Sequence, residues 1–259
     1  MDRDQDNDKK VEQERYNRDA SGFLRTPNIV LKPDGARSVP IQLRQPYSVY
    51  ENLIRDKVRP GCRVLDVCCG SGIYSVVGAI SGAHVTAMDI ATANLEIVKL
   101  RARRAGVDIE VVTADAEHLP FPENSFDVLT IANSLSYMQV EQFMSEVSRV
   151  LKPDGHFIFV DSLNHNPIYR MNRYIHYLRG HRTYSTLVRM PSRRTLCFLE
   201  ALLVDFSIKH FGILSFLSPL LTPITGSERT ACLLDRFDKI APRCLHSMAF
   251  KVVGAGRLR

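Results

Sequence analysis

The sequence predicts a doubly wound α/β fold, and three observations carry that prediction. Short apolar runs alternate with helix-like stretches from residue 63 to residue 162. Acids and glycines gather where those runs end, which in an open parallel sheet is where a ligand sits. At 259 residues, 45% hydrophobic and 24% charged, the chain has the length and composition to bury one large core.

The elements follow in order. "MDRDQDNDKKVEQERYNRD" is acidic and polar, reads as a frayed or loosely helical extension, and has no apolar segment of a signal peptide. "YSVYENLIRDKV" is a helix closed by "RPG" at 59 to 61. "RVLDVCC" is the first strand, followed by Gly70-Ser71-Gly72 and the helix "IYSVVGAISG". "HVTAMDI" and "IEVVTAD" are strands two and three, with the helix "ATANLEIVKLRARRAG" between them. "FDVLTIA" is the fourth strand, "VEQFMSEVSRVLKPDG" a helix ending in a turn, and "HFIFVDS" the fifth strand. Alternation of this kind implies parallel pairing, right-handed crossovers and helices on both faces. "DFSIKHF" and "SMAFKVVGA" are two late strands at an antiparallel-ended edge, with the apolar "FGILSFLSPLLTPITG" (211–226) between them. No apolar run is long enough to span a bilayer, and the expected compartment is the cytoplasm.

Six cysteines show neither a CxxC pair nor ligand spacing with histidine, so no metal is expected. Cys68 and Cys69 read as small residues of a loop that holds something else. The net charge of +6 is local: residues 162 to 199 hold seven arginines, three histidines and no Asp, Glu or Lys.

Asp66 lies ahead of the Gly70-Ser71-Gly72 turn, Asp89 ends strand two, and Asp115 follows strand three. The third glycine of a dinucleotide fingerprint is missing, so the pattern does not read as NAD-binding. With "VLDVCCGSG", "VTAMDI", "ADAEHLPFPENSFDVL" and "EVSRVLKPDGHFIFVD" in this order, residues 47 to 162 resemble the class I S-adenosylmethionine-dependent methyltransferases, of the group that includes menaquinone and ubiquinone methyltransferases. The resemblance implies a seven-stranded, mostly parallel Rossmann-like sheet and one S-adenosyl-L-methionine. It implies that Asp66 and the backbone of Gly70, Ser71 and Gly72 hold the amino acid end, and that Asp89 binds the ribose. Ile90 would pack on adenine, Asp115 and Ala116 would meet its ring, and Asn133 would stand beside the methyl donor. The family usually has glycine where Cys68 stands, although menaquinone-type members tolerate cysteine there.

The acceptor half divides into a basic helical cap (163–203) and the last two strands with an apolar helical insertion (204–259), after the extension (1–46) and the cofactor core (47–162). In the cap, Asn166-Pro167 starts a helix whose Ile168, Met171, Ile175 and Leu178 share one face. Arg170, Arg173, Tyr174 and Tyr177 share a second face, and His165, Tyr169, Asn172 and His176 a third. Tyr169, Arg170, Arg173, Tyr174, His176 and Tyr177 are the candidate acceptor-binding residues, since arginine grips carboxylate or phosphate bidentately. The ordinary reading of the same helix is an amphipathic one packing its apolar stripe on the sheet edge. Asp161 and His165 are the candidate bases. The expected function is O- or N-methylation of an anionic small molecule, a sugar derivative or secondary metabolite. A quinone or lipid acceptor is the alternative, with the 211–226 stretch as a lid, and tRNA or rRNA is the weaker one. The sequence leaves a homodimer open, and also a binding module that keeps the fold without the chemistry.

Overall fold

The computed structural model describes residues 2–26, 31–32, 34–180 and 182–258. Of the extension, residues 27–30 and Pro33 lie outside the described residues. The chain enters through α1 (Asp2–Leu24) and α2 (Arg44–Lys57), then alternates β1 (Arg63–Val67), α3 (Ser75–Ile80), β2 (His84–Asp89), α4 (Thr92–Ala105) and β3 (Ile109–Thr113). It continues with β4 (Phe126–Ala132), α5 (Val140–Val150) and β5 (Leu151–Ser162). The cap is α6 (Pro167–Leu178), α7 (Tyr184–Val188) and α8 (Arg193–Leu202). β6 (Leu203–Phe211), α9 (Ser218–Thr225), α10 (Ser227–Ile240) and β7 (Lys251–Leu258) complete it.

Seven strands form one sheet in the order β3-β2-β1-β4-β5-β7-β6. β7 runs antiparallel to both its neighbours, and the remaining pairs are parallel. The order reverses between β1 and β4, so the crevice of the doubly wound sheet opens at their carboxyl ends. The central strands are buried on both faces, which is why they read as unbroken apolar runs instead of alternating ones. α5 shows the helical counterpart: Val140, Phe143, Met144, Val147 and Val150 recur at helical spacing and are all buried. They join Leu129, Phe157 and Phe159 in the main core.

Four boundaries differ from the sequence reading. α1 is a continuous helix over residues 2–24, tied down by side chains, where the polar composition suggested fraying. β1 stops at Val67, so Cys68 and Cys69 lie in the turn and not on alternate faces of a strand. α5 ends at Val150, and "LKPDG" opens β5 through a register shift instead of closing the helix. The link from β6 to β7 holds α10 in addition to the apolar stretch, and β7 begins only at Lys251.

Candidate active site

Strand register makes the first contact of the site. β1 pairs with β4 so that Asp66 faces Thr130, whose hydroxyl donates to Asp66 Oδ1 at 2.9 Å. Ser75, at the start of α3, donates to Oδ2 at 2.5 Å. Burial outweighs these two hydroxyls and pushes the Asp66 carboxyl up to about 6. Asp89 closes β2 and sews the next loop in place: its Oδ2 accepts from Gly70 N at 2.8 Å and its Oδ1 from Ala91 N at 2.9 Å.

The loop between them turns sharply, with Cys68, Gly70 and Gly72 all at positive φ (52°, 53° and 72°). At Gly72 a Cβ would lie 2.9 Å from Cγ2 of Val98 on α4. Gly72 therefore serves close packing behind the loop, whereas Gly70 and Ser71 line the cleft itself. The left-handed backbone of Cys68 explains why related sequences place glycine there. Burial pushes both thiols well up, which keeps them protonated and poor as nucleophiles or ligands. Among the described residues no three His, Cys, Asp or Glu side chains gather as a metal site. Arg101, which sequence reading passed over as one of several helix cations, is buried behind the loop. Its Nε donates to the Ser71 carbonyl at 2.9 Å and its Nη1 to the Lys32 carbonyl at 2.8 Å, and it pairs with Asp34.

The resulting cleft has a volume of about 320 Å³, and Asp66, Asp89, Ile90, Asp115, Ala116 and Asn133 all line it. α1 lies across its mouth. Lys9 pairs with Asp115 at 2.6 Å and with Glu117; Gln13 donates to the Ile90 carbonyl at 2.8 Å; the Tyr16 and Tyr137 hydroxyls meet at 2.7 Å. No periodic signal marks these polar positions; the apolar part of the attachment lies further along α1, where Ala20, Phe23 and Leu24 pack on Ala93 and Ile97 of α4.

A second cavity, also about 320 Å³, adjoins the first, and Asn133 and Tyr137 line both. Asn133 sits at φ 59°, its N–H donating to the Val160 carbonyl at 2.7 Å. Its Oδ1 accepts from the Tyr47 hydroxyl at 3.1 Å and from Lys251 Nζ. Lys251 reaches this point because β7 is antiparallel: its first residue pairs with Ser162, the last of β5, at the ligand edge. Lys251 and Arg173 are each only 6% exposed. Lys251 lies 5.4 Å from the Tyr47 ring centroid and 5.3 Å from that of Phe250. Arg173 donates to the Leu163 carbonyl at 2.9 Å, and burial with Arg182 alongside lowers its pKa to about 10.

The structure divides the remaining candidates. Asp161 lines the second cavity, but its oxygens accept backbone N–H groups from Leu135 (2.8 Å) and Ser162 (2.6 Å), so it braces the turn after β4. The structure places His165, the other candidate base, at the start of α8. It lies outside the cavity walls, with Nε2 accepting from Arg193 N at 2.8 Å. Tyr169 and His176 line an outer vestibule together with Arg173. Arg170 and Tyr174 are exposed and face away, and Tyr177 packs its ring between those of Tyr174 and Tyr184. Helical spacing kept the apolar stripe together but misplaced Arg173, which turns inward with Tyr169, Asn172 and His176 while Arg170 and Tyr174 are exposed.

Residues 65–159 match the model of a methyltransferase domain. The demethylmenaquinone methyltransferase of Listeria welshimeri is 36% identical over 118 residues, 42% of this chain and 49% of its own length. The chain thus spans about half the length of the curated relatives it matches. Among solved structures, geranyl diphosphate C-methyltransferase from Streptomyces coelicolor superposes with a TM-score of 0.60 at 19% identity, covering 84% of this chain and 78% of that one. The [4+2]-cyclase SpnF superposes with a TM-score of 0.55 at 21% identity, over 83% and 82%. Residues 65–159 thus match a methyltransferase domain, and the strand order and motif order around them are similar to those of the class I S-adenosylmethionine-dependent methyltransferases. The cleft suits that cofactor chemically: five carboxylates line it, three at the strand ends (Asp66, Asp89 and Asp115) and two on α1 (Asp8 and Glu12), and the cofactor carries a sulfonium and an ammonium.

Proposed function

We propose that this chain methylates a small organic acceptor seated in the second cavity. The observation that carries the reading is the shared wall: Asn133 and Tyr137 border both cavities, so a donor in one and an acceptor in the other meet there. When bound, S-adenosylmethionine supplies an electrophilic methyl group on a positively charged sulfur. Asp66 and the loop at Gly70 and Ser71 would hold its amino acid end, Asp89 its ribose, and Ile90, Asp115 and Ala116 its adenine.

The acceptor cavity supports a molecule with an aromatic or apolar body and an ionisable oxygen. Tyr47, Pro46, Met190, Phe211 and Phe250 supply apolar walls on which a ring can pack. Lys251 and Arg173 supply buried cations that no carboxylate pairs within the described residues, and Asp161 nearby has its oxygens engaged by backbone. Lys251 binds the acceptor oxygen as its negative charge grows, directly beside the shared wall. Asp235 takes the acceptor's proton: it lines the same cavity, and burial with Asp238 beside it raises its pKa to about 6. A quinol-type acceptor fits these features, and the quinone methyltransferases among the relatives favour it over the sugar derivative.

The test has two arms. Calorimetric titration with S-adenosylhomocysteine reads the cofactor site alone; absence of binding sinks the methyltransferase reading. Mass detection of methylated product, with hydroquinones, phenols and sugar acids offered in parallel, reads the acceptor. Product from sugar acids only would overturn the acceptor class while leaving the enzyme class standing.

A further inference from the structure

α6 is built inside out. An ordinary surface helix buries its apolar stripe and exposes its charges. Here Arg173 is buried and Tyr169 and His176 line the vestibule, while Met171 is 61% exposed and Leu178 65%. Ile168 and Ile175, on the same stripe, are exposed as well. The exposed apolar surface continues onto α7 through Tyr184 and Val188, with the Tyr177 and Tyr184 rings 6.0 Å apart. Across the vestibule, α9 buries none of its residues; its Ile224 is 77% exposed and Leu220 is exposed beside it. α6 and α9 together flank the mouth, through Tyr169 and His176 on one side and Pro219 and Pro223 on the other. The mouth leads inward, because Arg173, Arg182, Ser215 and Phe250 line both vestibule and acceptor cavity.

The charge of the segment that carries α6 and α7 has one sign, with acids at its border, at Glu200, and at Glu228 after α9. Arg170, Arg179, Arg193 and Arg194 are exposed in the segment from 162 to 199, which holds no Asp, Glu or Lys. Apolar side chains ringed by arginines are what an interfacial helix presents to a bilayer with anionic headgroups. A second copy of the chain would bring like charges together across the same face.

We propose that α6, α7 and α9 dock this protein on an anionic lipid surface, with the acceptor vestibule opening onto it. No helix among the described residues is long and apolar enough to cross a membrane, so the contact is interfacial. The proposal goes beyond the methyl-transfer reading and is read by a different measurement. The full chain is sedimented with vesicles of phosphatidylcholine alone and with vesicles containing about one third phosphatidylglycerol. Binding is expected to the second kind, with partition about tenfold lower for M171E/L178E. R170E/R179E should lower it by a similar factor, and salt should weaken the wild type. Both variants change exposed side chains, and unchanged affinity for S-adenosylhomocysteine shows that they are folded. No binding to either vesicle overturns the proposal, and so does binding that both variants retain. A wild-type dimer on sizing that M171E/L178E splits, without vesicle binding, assigns the face to self-association instead. Retention on an acidic protein without vesicle binding assigns it to a protein partner.

Discussion

Cys68 occupies a conformation that costs a side-chain-bearing residue about 1 kcal/mol. C68G should therefore keep S-adenosylhomocysteine binding and leave the melting temperature unchanged or slightly higher, since relief of strain offsets a freer unfolded chain. C68V, branched at Cβ, should lower it instead. Thiol alkylation should consume the exposed Cys197, Cys232 and Cys244 well before Cys68 and Cys69. Asp66 makes the cofactor site sensitive to pH. Its folded-state pKa of about 6 lies above the ordinary carboxylate value, so it favours the folded state below pH 4 and that contribution is lost as pH rises to 6. Above pH 6 the buried carboxylate is a cost of roughly 3 kcal/mol, which a bound cation offsets. Calorimetry should accordingly show S-adenosylhomocysteine affinity falling as pH drops below 6, by up to about tenfold per unit. Asp235 predicts a separate effect at the acceptor: an acid limb near pH 6 in kcat/KM that D235N abolishes, with cofactor affinity unmoved. K251M should leave that affinity unmoved too and lower turnover about a hundredfold, as loss of one charge-stabilising donor does elsewhere.

Two elements bring single polar side chains to the cavities from distant parts of the chain. α1 spans the cofactor mouth by way of Lys9, Gln13 and Tyr16, each reaching a different part of the core. Removing one such link should loosen the cover without unfolding the sheet. K9A is expected to speed S-adenosylhomocysteine release several-fold in stopped-flow displacement and to lower the melting temperature, because Glu117, buried, loses the Lys9 cation. β7 matters through its direction. Running against β5, it starts where the parallel strands end, and this alone brings Lys251 to Asn133, 118 residues earlier in the chain.

For the whole molecule, both cavities are walled by one sheet, so a cofactor bound at the β1–β4 switch point stabilises the entire fold. At a hundred times its dissociation constant a ligand adds about 2.7 kcal/mol. In a chain of this size that should appear as a single melting transition raised by about 5 to 10 °C. A split transition, with only part of the chain responding, would show the acceptor half folding independently.

Much of this was legible in the residues themselves. The parallel core and the cofactor loop are encoded locally: buried strands are continuous apolar runs, and the acids at Asp66, Asp89 and Asp115 recur at strand ends because that is where a doubly wound sheet holds its ligand. Helical spacing likewise sorted α6 into three faces. Which face turned inward depended on what α6 packs against, and the vestibule below it exposes the apolar stripe that composition alone would have buried. The position of His165 was equally out of reach of local pattern, since the loop after β5 carries it to the start of α8. Lys251, Arg101 and Lys9 meet their partners across thirty residues of chain or more, through strand direction, loop packing and a helix laid over an opening. Sequence determined the elements and the donor pocket, because both follow from periodicity and local turns. The acceptor pocket was decided by tertiary structure, because it is made of contacts between segments that no local pattern relates.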